Sequence, residues 1–446
     1  MRRLVITFIT FLCAIGSFAA AAPSPSATTA VECHVGSYRL QDGRVVDIAP
    51  SADNHLRWRL TDGTTGALKH AAGSAWTSTL GWTDRPDGHR IVFGDCAAGT
   101  IRFDANRGTR IAFDINETQF TSGGVSLAGR LVLPAGNARV PIVVLVHGAE
   151  HDSARESYAL QRLFPANGIG AFVYDKRGTG ASGGDYTQDY LMLANDAIAA
   201  MREATHLAGA RAGRIGYQAG SQGGWVAPLA AKIEPVDFIV IGFGMAVSPL
   251  EEDRSAIVLD MTRHGYGADV VGKAMEVADA TAAVLLSGFR DGYDKVAAMR
   301  AKYGNAPWFA DVHGNMSFFI LGHTEAEVRK IGPTLLPGIP LQYDPLPVLR
   351  NLRTPQLWIL GADDIDAPSA ETARRLAVLA SNGAPMTTAM FPNAEHGIYE
   401  YETAADGTRV STRQPDGYFR IMCDFIRDGR LQSPYGSASL FGAGIR

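Results

Sequence analysis

The chain has little cysteine and no long run of charge of one sign. Only four of its 446 residues are cysteine, and the formal net charge of −4 is spread over mixed acidic and basic residues. A surface that binds nucleic acid needs clustered lysine and arginine. The even mixture of charges therefore excludes nucleic acid from the expected partners. After residue 22 the sequence also lacks an apolar run long enough to span a bilayer, so we expect no stable membrane insertion of the remaining chain.

The one long apolar run lies at the N-terminus. Two arginines precede an uncharged stretch from Leu4 to Ala22, which ends in the small residues SFAAAA before Pro23. A basic start, an apolar middle and a small-residue end are typical of a secretory signal peptide. The alternative is a retained anchor, because about nineteen such residues are just enough to span a bilayer. We expect cleavage of residues 1–22 and export to the periplasm or the outside, with residues 23–30 as a linker.

Three cysteines remain after that segment, namely Cys33, Cys96 and Cys423. In an exported protein, two cysteines within one small segment are plausible disulfide partners. We therefore expect a disulfide between Cys33 and Cys96. Cys423 lies in YFRIMCDFIRDG, an amphipathic helical pattern near the C-terminus, and is expected to be a small buried apolar residue without a catalytic role.

Hydrophobic residues make up 46% of the chain, as in a globular protein. Its length fits roughly two or three domains. Residues 31–115 contain short β segments separated by turn signals, such as SYRL before QDG and LRWRL before TDG, which predict a small all-β module. Its Trp58, Trp76 and Trp82 are more often packing residues than a stacking surface for a sugar or another ligand, and both alternatives stay open.

From residue 116 onward, strand patterns alternate with helical patterns, which indicates an α/β domain with a mainly parallel sheet. Residues 141–146 are a continuous apolar run, as expected of a strand covered on both faces. Between residues 248 and 346 the pattern is helical, and an insertion of that length between two core strands predicts a cap over the site. The predicted divisions are core at 116–247, cap at 248–346, core again at 347–432 and a C-terminal tail at 433–446.

The most informative stretch is RIGYQAGSQGGWVAPLAAKI, at residues 214–233. It predicts a short strand, an abrupt turn at Ser221 and a helix from Gly223, which is the context of a serine nucleophile elbow. So tight a turn leaves space only for small side chains, and Ala219 and Gly223 stand two residues before and after the serine. The turn also directs the backbone N–H of Gln222 and the positive end of the helix at the place where an anionic intermediate forms.

The string G-x-S-x-G also occurs elsewhere, at residues 180–184 around Ser182. The loop DKRGTG separates Ser182 from the preceding strand, and no apolar helix follows it. Ser221 has both a strand before it and a helix after it. Ser221 is therefore the predicted nucleophile.

A serine hydroxyl needs a base within reach and a group that orients the base. His396, in NAEHG after the last predicted core strand, is the predicted base. The loop GADDIDAP, after the strand before that one, offers Asp363, Asp364 and Asp366 as the acid. The loop spacing favours Asp364, with Asp363 next. The alternative use of these acids is to cap the helix that follows.

Two backbone N–H groups are expected to form the oxyanion hole. The predicted strand at residues 141–146 ends in His147-Gly148-Ala149, and the N–H of Ala149 is expected to join that of Gln222. His147 competes weakly as a base. At a strand end before glycine, it is expected to shape the oxyanion loop instead.

These motifs occur in an order that resembles the α/β-hydrolase superfamily, specifically its capped esterase and serine-aminopeptidase-like branch. The resemblance spans residues 117–430 and includes the strand ending in HG, DKRGTGAS, GSQGGW, DPLPVLRNLRTPQLWILGADD and AEHG. It implies a mostly parallel eight-stranded sheet and a catalytic triad of Ser221, Asp364 and His396. Ala219 departs from the family, where glycine is commoner, and the N-terminal β module lies outside the family core.

The sequence thus predicts a serine hydrolase that cleaves carboxylic esters of small to medium size through an acyl-enzyme, with no metal or organic cofactor. The alternative is an aminopeptidase, or another amide or thioester hydrolase, on the same triad. An aminopeptidase needs a carboxylate in the cap for the substrate's amino group. Glu251, Glu252 and Asp253 lie near the start of the cap, and Glu251 and Glu252 are the candidates, although acids at a helix start more often face the solvent or pair with the helix dipole.

A non-catalytic binding protein that uses the β module is a less favoured alternative. If the protein is a hydrolase, its activity is expected to fall as the pH drops through the His396 pKa, roughly 6 to 7 in an unperturbed site. The expected partner is a small-molecule ester substrate. The sequence indicates neither the physiological substrate nor the oligomeric state.

Overall fold

The computed structural model describes residues 31–51 and 55–442. The predicted signal peptide and linker, residues 1–30, lie outside the described residues. Within the described part, no helix combines the length and the apolar character that a membrane crossing needs.

The N-terminal β module is a closed eight-stranded antiparallel barrel, in which the last strand pairs with the first. Its core contains large buried side chains such as Tyr38, Trp58 and Phe103. The barrel is formed by β1 (Gly36–Leu40), β2 (Val45–Pro50), β3 (Leu56–Leu60), β4 (Thr65–Ala72), β5 (Ala75–Leu80), β6 (Pro86–Phe93), β7 (Thr100–Phe103) and β8 (Asn106–Arg110).

The three tryptophans of the barrel do not form a common surface. Trp58 and Trp76 are buried in the barrel core, where they pack on Phe103 and Phe93. Trp82 is 41% exposed and lies under the guanidinium of another barrel residue rather than beside the other tryptophans. Packing, not a shared stacking platform, therefore accounts for Trp58 and Trp76.

The second sheet has nine strands in the order β20-β16-β15-β14-β13-β11-β12-β10-β9. The six central strands are mutually parallel, and β10 and β20 run in the opposite direction. The strands are β9 (Phe113–Ser122), β10 (Val125–Pro134), β11 (Val140–Val146), β12 (Gly170–Tyr174), β13 (Ala212–Gly220), β14 (Phe238–Gly242), β15 (Gln356–Gly361), β16 (Met386–Phe391) and β20 (Ser439–Gly442).

The predicted count of eight strands is wrong by one. The ninth strand, β20, comes from residues 433–446, which are predicted as a tail, and pairs with the open edge of β16. Unpaired backbone groups at a sheet edge accept any nearby extended segment, whatever its side chains. The first strand of this sheet also begins at Phe113, inside the segment predicted as the β module.

Twelve α-helices are present among the described residues. They are α1 (Ala154–Ser157), α2 (Leu160–Ala166), α3 (Tyr190–Ala208), α4 (Gly223–Ile233), α5 (Pro249–Arg263), α6 (Ala268–Leu286), α7 (Tyr293–Tyr303), α8 (Ser317–Gly322), α9 (Glu325–Leu335), α10 (Leu346–Asn351), α11 (Ser369–Ser381) and α12 (Tyr418–Asp428). Helices α3, α4 and α11 cover one face of the nine-stranded sheet, and α2 and α12 cover the other. The central strands are consequently buried on both faces.

The segment predicted as a cap is helical and consists of α5 to α9. Its two apolar clusters join α5, α6, α7, α8 and α9 to one another. The buried carboxylate of Asp253 on α5 accepts hydrogen bonds from the backbone of Met316 and Ser317 and from the Ser317 hydroxyl, at 2.6 to 3.0 Å. Asp253 therefore fixes the start of α8 to α5.

The barrel docks on the larger domain at two places. At the first, the buried Asp47 carboxylate forms a bidentate ion pair with Arg162, with N–O distances of 2.7 and 2.9 Å. At the second, the barrel contacts a hairpin of β18 (Tyr399–Thr403) and β19 (Arg409–Arg413), which pairs with the short strand β17 (Ala394–Glu395). We call β18 and β19 the histidine hairpin because they follow His396. Trp82 packs edge-on against Tyr399, with ring centroids 4.7 Å apart.

The predicted disulfide between Cys33 and Cys96 is confirmed, and it ties the start of the barrel to the loop before β7. Cys423 is the free cysteine among the described residues and is buried in α12. Burial raises the pKa of its thiol to about 12, so the thiolate is absent at neutral pH. The prediction of an apolar, unreactive role is in keeping with this position.

Candidate active site

Ser221 lies on a strained turn between β13 and α4. Its φ is +50°, a backbone conformation that non-glycine residues rarely adopt and that costs roughly 1 kcal/mol or more. The turn is held by hydrogen bonds from Ser221 N to Gly242 O, at 3.2 Å, and from Gly224 N to Ser221 O, at 2.8 Å. The strand, turn and helix occur as predicted, and the turn places the Ser221 side chain at the carboxyl edge of the sheet.

The need for small residues beside Ser221 is visible in the packing of Gly223. A Cβ atom on Gly223 would lie 2.6 Å from the carbonyl oxygen of Val146 and 3.1 Å from the Cβ of Ala219. The first distance is shorter than real Cβ contacts allow. Glycine at position 223 is therefore required by the approach of α4 to β11.

The structure brings Ser221, His396 and Asp364 into one hydrogen-bonded chain. The Ser221 hydroxyl lies 3.2 Å from His396 Nε2, and His396 Nδ1 lies 2.9 Å from Asp364 Oδ2. Asp364 is buried, and its other oxygen accepts hydrogen bonds from the backbone N–H groups of Asp366 and Ala367. These bonds fix the carboxylate, which in turn fixes the imidazole with Nε2 toward the serine.

The other acids of these two loops have different partners. Asp363 accepts a hydrogen bond from the Tyr401 hydroxyl, at 2.9 Å, and its carbonyl accepts one from Arg409. Glu395 accepts a hydrogen bond from Ser411. Tyr401, Arg409 and Ser411 all belong to the histidine hairpin, so Asp363 and Glu395 join the His396 loop to that hairpin.

The backbone N–H groups proposed for the oxyanion lie at the ends of β11 and β13. Within the described residues, neither Ala149 N nor Gln222 N donates to another group of the chain. A Cβ on Gly148 would lie 3.3 Å from the Cβ of Ser221, so the oxyanion loop passes directly beside the serine. The N–H of the residue after Ser221 and that of the residue after Gly148 are therefore both free to donate to a bound oxygen.

His147 is buried and does not contact Ser221 or Asp364. Its Nε2 accepts a hydrogen bond from the backbone N–H of Lys176, at 3.0 Å. Burial, followed by the nearby Lys176 ammonium, lowers the pKa of His147 to about 4, so the ring stays neutral at neutral pH. The predicted role in shaping the oxyanion loop agrees with these contacts.

His396 lies in a negative environment. Burial opposes protonation of its imidazole, but the carboxylates of Asp364, Asp366 and Glu252 outweigh that effect and raise its pKa to about 9. Burial also raises the pKa of Glu252 to about 8, with His396 acting in the opposite direction and Asp364 adding to the rise. The site therefore favours a cation at or beside His396.

Of the two cap acids predicted to bind substrate, the structure brings only Glu252 to the site. Glu252 is within electrostatic range of His396, and one of its oxygens accepts a hydrogen bond from Asn315, at 2.9 Å. Glu251 instead pairs with Arg375, at 2.7 Å, and caps its own helix through Ser248. Glu251 is thus held away from the triad by contacts that do not involve a substrate.

Ser182, the other serine in a G-x-S-x-G string, has its hydroxyl fully engaged. It donates to the carbonyl of Asp175, at 2.6 Å, and accepts from the backbone of Ala128, at 2.9 Å. These bonds hold the loop between β12 and α3 against β10. Ser182 thus has a structural position in this loop, in keeping with the prediction that Ser221 and not Ser182 is the nucleophile.

Sequence reasoning missed four side chains. Glu150, Lys176 and Tyr186 lie around the oxyanion loop, and Asn315 lies in the cap. Lys176 and Tyr186 belong to the loop that begins with DKRGTGAS, a motif that carries the family resemblance but suggests no role for either residue. Asn315 lies in the cap, where the sequence pattern marks helices and not contacts. These side chains could be predicted only by knowing which loops meet at Ser221, and no local sequence pattern shows that.

A cavity of about 710 Å³ lies in the cap, and its lining residues, all between 285 and 343, do not include the triad. Most of its walls are aliphatic and proline residues of α6, α9 and the segment after α9, together with Phe289 and Tyr343. Tyr343 packs edge-on against Tyr190, which stacks on Trp225 of α4. The cavity has the size of a typical small-molecule site.

Side chains that could together hold a metal ion form one group in the part of the chain that the structure describes. Among the described residues, the one group of cysteine, histidine and acidic side chains close enough to hold an ion is Cys33, His34 and Cys96. The two sulfur atoms of that group are joined in the disulfide and offer no thiolate.

No family model matches the chain, and no curated protein matches it. Among solved structures, an esterase of Pyrococcus furiosus is 15% identical with a TM-score of 0.41, over 64% of this chain and 83% of that one. An acylaminoacyl peptidase of Pyrococcus horikoshii is 15% identical with a TM-score of 0.43, over 88% of this chain and 57% of that one. A Butyrivibrio proteoclasticus protein with bound ferulic acid is 14% identical with a TM-score of 0.38, over 69% and 96%.

This chain thus spans little more than half of the acylaminoacyl peptidase that it resembles. The parallel central strands, the strand-turn-helix at Ser221 and the order serine, aspartate, histidine along the sequence are features of one architecture. The larger domain has the α/β-hydrolase fold.

Proposed function

We propose that the protein is an exported serine hydrolase that cleaves carboxylic esters of small to medium size. The observation that supports this most directly is the hydrogen-bonded chain from Asp364 through His396 to Ser221, with bond lengths of 2.9 and 3.2 Å. Such a chain is what converts a weakly nucleophilic hydroxyl into a reactive one. A binding protein has no use for it, and the buried tryptophans of the barrel offer no alternative ligand surface.

In the proposed reaction, Ser221 Oγ attacks the ester carbonyl carbon while His396 Nε2 takes the hydroxyl proton. The carbonyl oxygen becomes an oxyanion, which accepts hydrogen bonds from the N–H groups of Ala149 and Gln222. The C–O bond to the alcohol then breaks, and the imidazolium returns its proton to the leaving alkoxide. Water, activated by His396, releases the acid from the acyl-enzyme.

The negative surroundings of His396 suit this cycle. The imidazolium that forms as the serine is deprotonated is stabilised by Asp364 in contact and by Asp366 and Glu252 at longer range. The same carboxylates keep His396 protonated at lower pH, where it cannot accept a proton. The site therefore gains stabilisation of the charged intermediate at the cost of activity in acid.

Substitution of the nucleophile tests the proposal. Ser221→Ala is expected to lower kcat for short p-nitrophenyl esters by at least about a thousandfold, because the acyl-enzyme cannot form. Ser182→Ala is the matched control, since it removes the serine of the other G-x-S-x-G string while leaving Ser221 in place. A fluorophosphonate should label the control and fail to label Ser221→Ala. Wild-type turnover by Ser221→Ala would contradict the proposal.

Glu252 supports a second candidate, the hydrolysis of amides or esters next to a free amino group. Above its pKa of about 8 Glu252 is a carboxylate within range of His396, and in that pH range, where His396 also loses its proton, it is placed to attract a substrate ammonium. Comparison of aminoacyl p-nitroanilides with p-nitrophenyl esters separates the two candidates. If the amine-directed function holds, Glu252→Gln raises KM for aminoacyl substrates and leaves KM for neutral esters unchanged. Equal effects on both substrate classes would contradict it.

Export is part of the proposal and draws support from the Cys33–Cys96 disulfide, because disulfides persist in oxidising compartments. The leader itself lies outside the described residues. Intact-mass measurement of the protein recovered from an exporting host should show loss of residues 1–22. A full-length mass in the membrane fraction would favour the retained anchor instead.

A further inference from the structure

The carbonyl groups on both sides of the Ala149 N–H are held by one loop. Lys176 Nζ donates a hydrogen bond to Gly148 O, at 2.7 Å. The Tyr186 hydroxyl donates one to Ala149 O, at 2.6 Å. Both side chains come from the segment between β12 and α3. Two successive carbonyls of the oxyanion loop are thus fixed by side chains of one segment.

Lys176 is itself fixed in place. The residue is buried, its backbone N–H donates to His147 Nε2, and its ammonium lies 4.6 Å from the centroid of the Tyr186 ring. Tyr186 in turn stacks on His151, with ring centroids 3.6 Å apart. A buried ammonium is expensive unless it has partners. Its partners are Gly148 O, the Tyr186 ring and the nearby Glu150 carboxylate, and burial nevertheless lowers the pKa of Lys176 to about 8.

The peptide group between Gly148 and Ala149 links the Lys176 contact to the direction of the Ala149 N–H. In a trans peptide, the C=O and the following N–H point in opposite directions. Because the Gly148 carbonyl is turned to Lys176, the Ala149 N–H is turned away from Lys176. Gly148 passes beside Ser221, where a Cβ on the glycine would lie 3.3 Å from the serine Cβ.

We propose that Lys176 and Tyr186 are positioning residues of the oxyanion hole, which hold the Gly148–Ala149 peptide so that the Ala149 N–H faces the anionic oxygen on the Ser221 side. This inference rests on the proposed function, because it concerns the same reaction. Neither side chain touches the reacting atoms. The Lys176 ammonium also offsets the Glu150 carboxylate, which would otherwise lie unopposed beside the developing negative charge.

The position of Glu150 shows why that charge matters. One oxygen of its carboxylate would be 2.7 Å from a Cβ on Gly148, and the other accepts a hydrogen bond from the Tyr158 hydroxyl. Burial acts to raise the pKa of Glu150, but the hydrogen bond from the Tyr158 hydroxyl and the Lys176 ammonium act in the opposite direction, and the pKa lies below its usual value. A fixed anion beside an oxyanion hole is unfavourable unless a cation accompanies it.

Lys176→Met tests the proposal, because methionine keeps the length of the side chain and removes the donor and the charge. We expect kcat for a neutral p-nitrophenyl ester to fall about tenfold to a hundredfold with little change in KM, since the lost stabilisation belongs to the transition state. The acyl-enzyme carbonyl stretch, measured by infrared difference with a ¹³C-labelled acyl group, should shift to higher frequency. Lys232→Met, at an exposed position of α4, is the control and should change neither quantity.

Tyr186→Phe is the second variant, since it retains the ring over Lys176 and removes only the hydroxyl bonded to Ala149. It should show a smaller loss of kcat and a smaller infrared shift in the same direction. If Lys176→Met does not fold, as judged by near-ultraviolet circular dichroism, Tyr186→Phe decides the matter. An unchanged kcat and an unchanged carbonyl stretch in a folded variant would overturn the proposal.

Failure of the positioning role can be distinguished from failure of the proposed function. If wild-type protein reacts with a fluorophosphonate at Ser221 and hydrolyses esters while Lys176→Met does so equally well, only the positioning role is refuted. If wild-type protein does neither with any ester or amide, the hydrolase proposal is refuted, and the positioning role with it.

Discussion

At the scale of single residues, the charge around His396 has the largest functional consequence. Three carboxylates raise the pKa of this histidine to about 9, whereas the sequence alone predicts roughly 6 to 7. Asp364, which the sequence predicts as the partner of His396, contributes most to the rise, and Asp366 and Glu252, whose approach to the imidazole the sequence does not show, add to it. A raised pKa keeps the imidazolium to a higher pH, so the free base appears only as the pH rises.

The first prediction concerns the pH dependence of activity. The acid limb of kcat/KM for a neutral ester is expected above pH 7, since His396 must lose its proton to act as a base. Glu252→Gln removes one of the charges that stabilise the imidazolium, so the limb should move to lower pH. Glu251→Gln is the control one residue earlier, because Glu251 pairs with Arg375 and not with His396. A limb that stays in place in Glu252→Gln would contradict the assignment.

The second prediction concerns Gly223. Gly223→Ala places a methyl group 2.6 Å from the carbonyl of Val146, so the turn must distort. We expect a loss of about 1–3 kcal/mol in the free energy of unfolding, measured by urea denaturation. Gly272→Ala, inside α6 with no atom within 4 Å of the added methyl, should instead be neutral or slightly stabilising. Equal stability of the two variants would show that the contact is not tight.

At the scale of elements, the cap depends on one buried carboxylate. Asp253 on α5 accepts three hydrogen bonds from Met316 and Ser317 at the start of α8. Both ends of this contact lie within the cap, which the sequence marks only as a helical insertion. The sequence assigns acids near a helix start to the solvent or the helix dipole, and Asp253 is an exception because α8 folds back over it.

The third prediction follows from that contact. Asp253→Ala leaves two backbone N–H groups and a hydroxyl without their buried partner, which should cost about 1–3 kcal/mol. Hydrogen exchange should show the loss in α5 and α8 first, ahead of the central strands. Asp279→Ala is the control, because Asp279 pairs with Arg254 at the surface, where ion pairs contribute little. Uniform destabilisation of sheet and cap would contradict a local role.

The same scale shows which parts of the fold are readable in sequence. The elbow at residues 214–233 is predicted correctly because its signals are local, a strand, small residues around a serine and an amphipathic helix. Strand β20 is missed because SLFG carries too few residues for a pattern, and its pairing is decided by the open edge of β16. The histidine hairpin is missed for a similar reason, since its partners are Asp363 and the barrel, far away along the chain.

At the scale of the whole molecule, the barrel is part of the machinery that supports His396. It contacts the histidine hairpin through Trp82 on Tyr399 and through an ion pair of Arg85 with Glu402, at 2.6 Å. The hairpin holds Asp363 and Glu395, which flank the acid and the base. The role of the β module, which its sequence does not indicate, therefore includes bracing the loop that carries His396.

The fourth prediction concerns the buried ion pair between the two domains. Arg162→Met leaves the Asp47 carboxylate buried with only the Ser37 hydroxyl as partner, which should cost about 3–5 kcal/mol. Arg202→Met removes a partner of Glu234 at the surface and should leave the unfolding midpoint unchanged. Thermal unfolding measures the midpoint of each variant, and an ester assay before heating shows that each variant is folded. Matching midpoints for the two variants would contradict a stabilising interface.

The contact between barrel and hairpin also fixes the order in which a competent site can arise during translation. The ribosome releases the barrel, residues 36–110, long before residues 399–413. Modules that emerge early generally fold early. The barrel surface that contacts the hairpin is therefore expected to fold before the hairpin is synthesised. A nascent chain that already contains Ser221 stays inactive until residues 396–413 have emerged and placed His396 beside the serine.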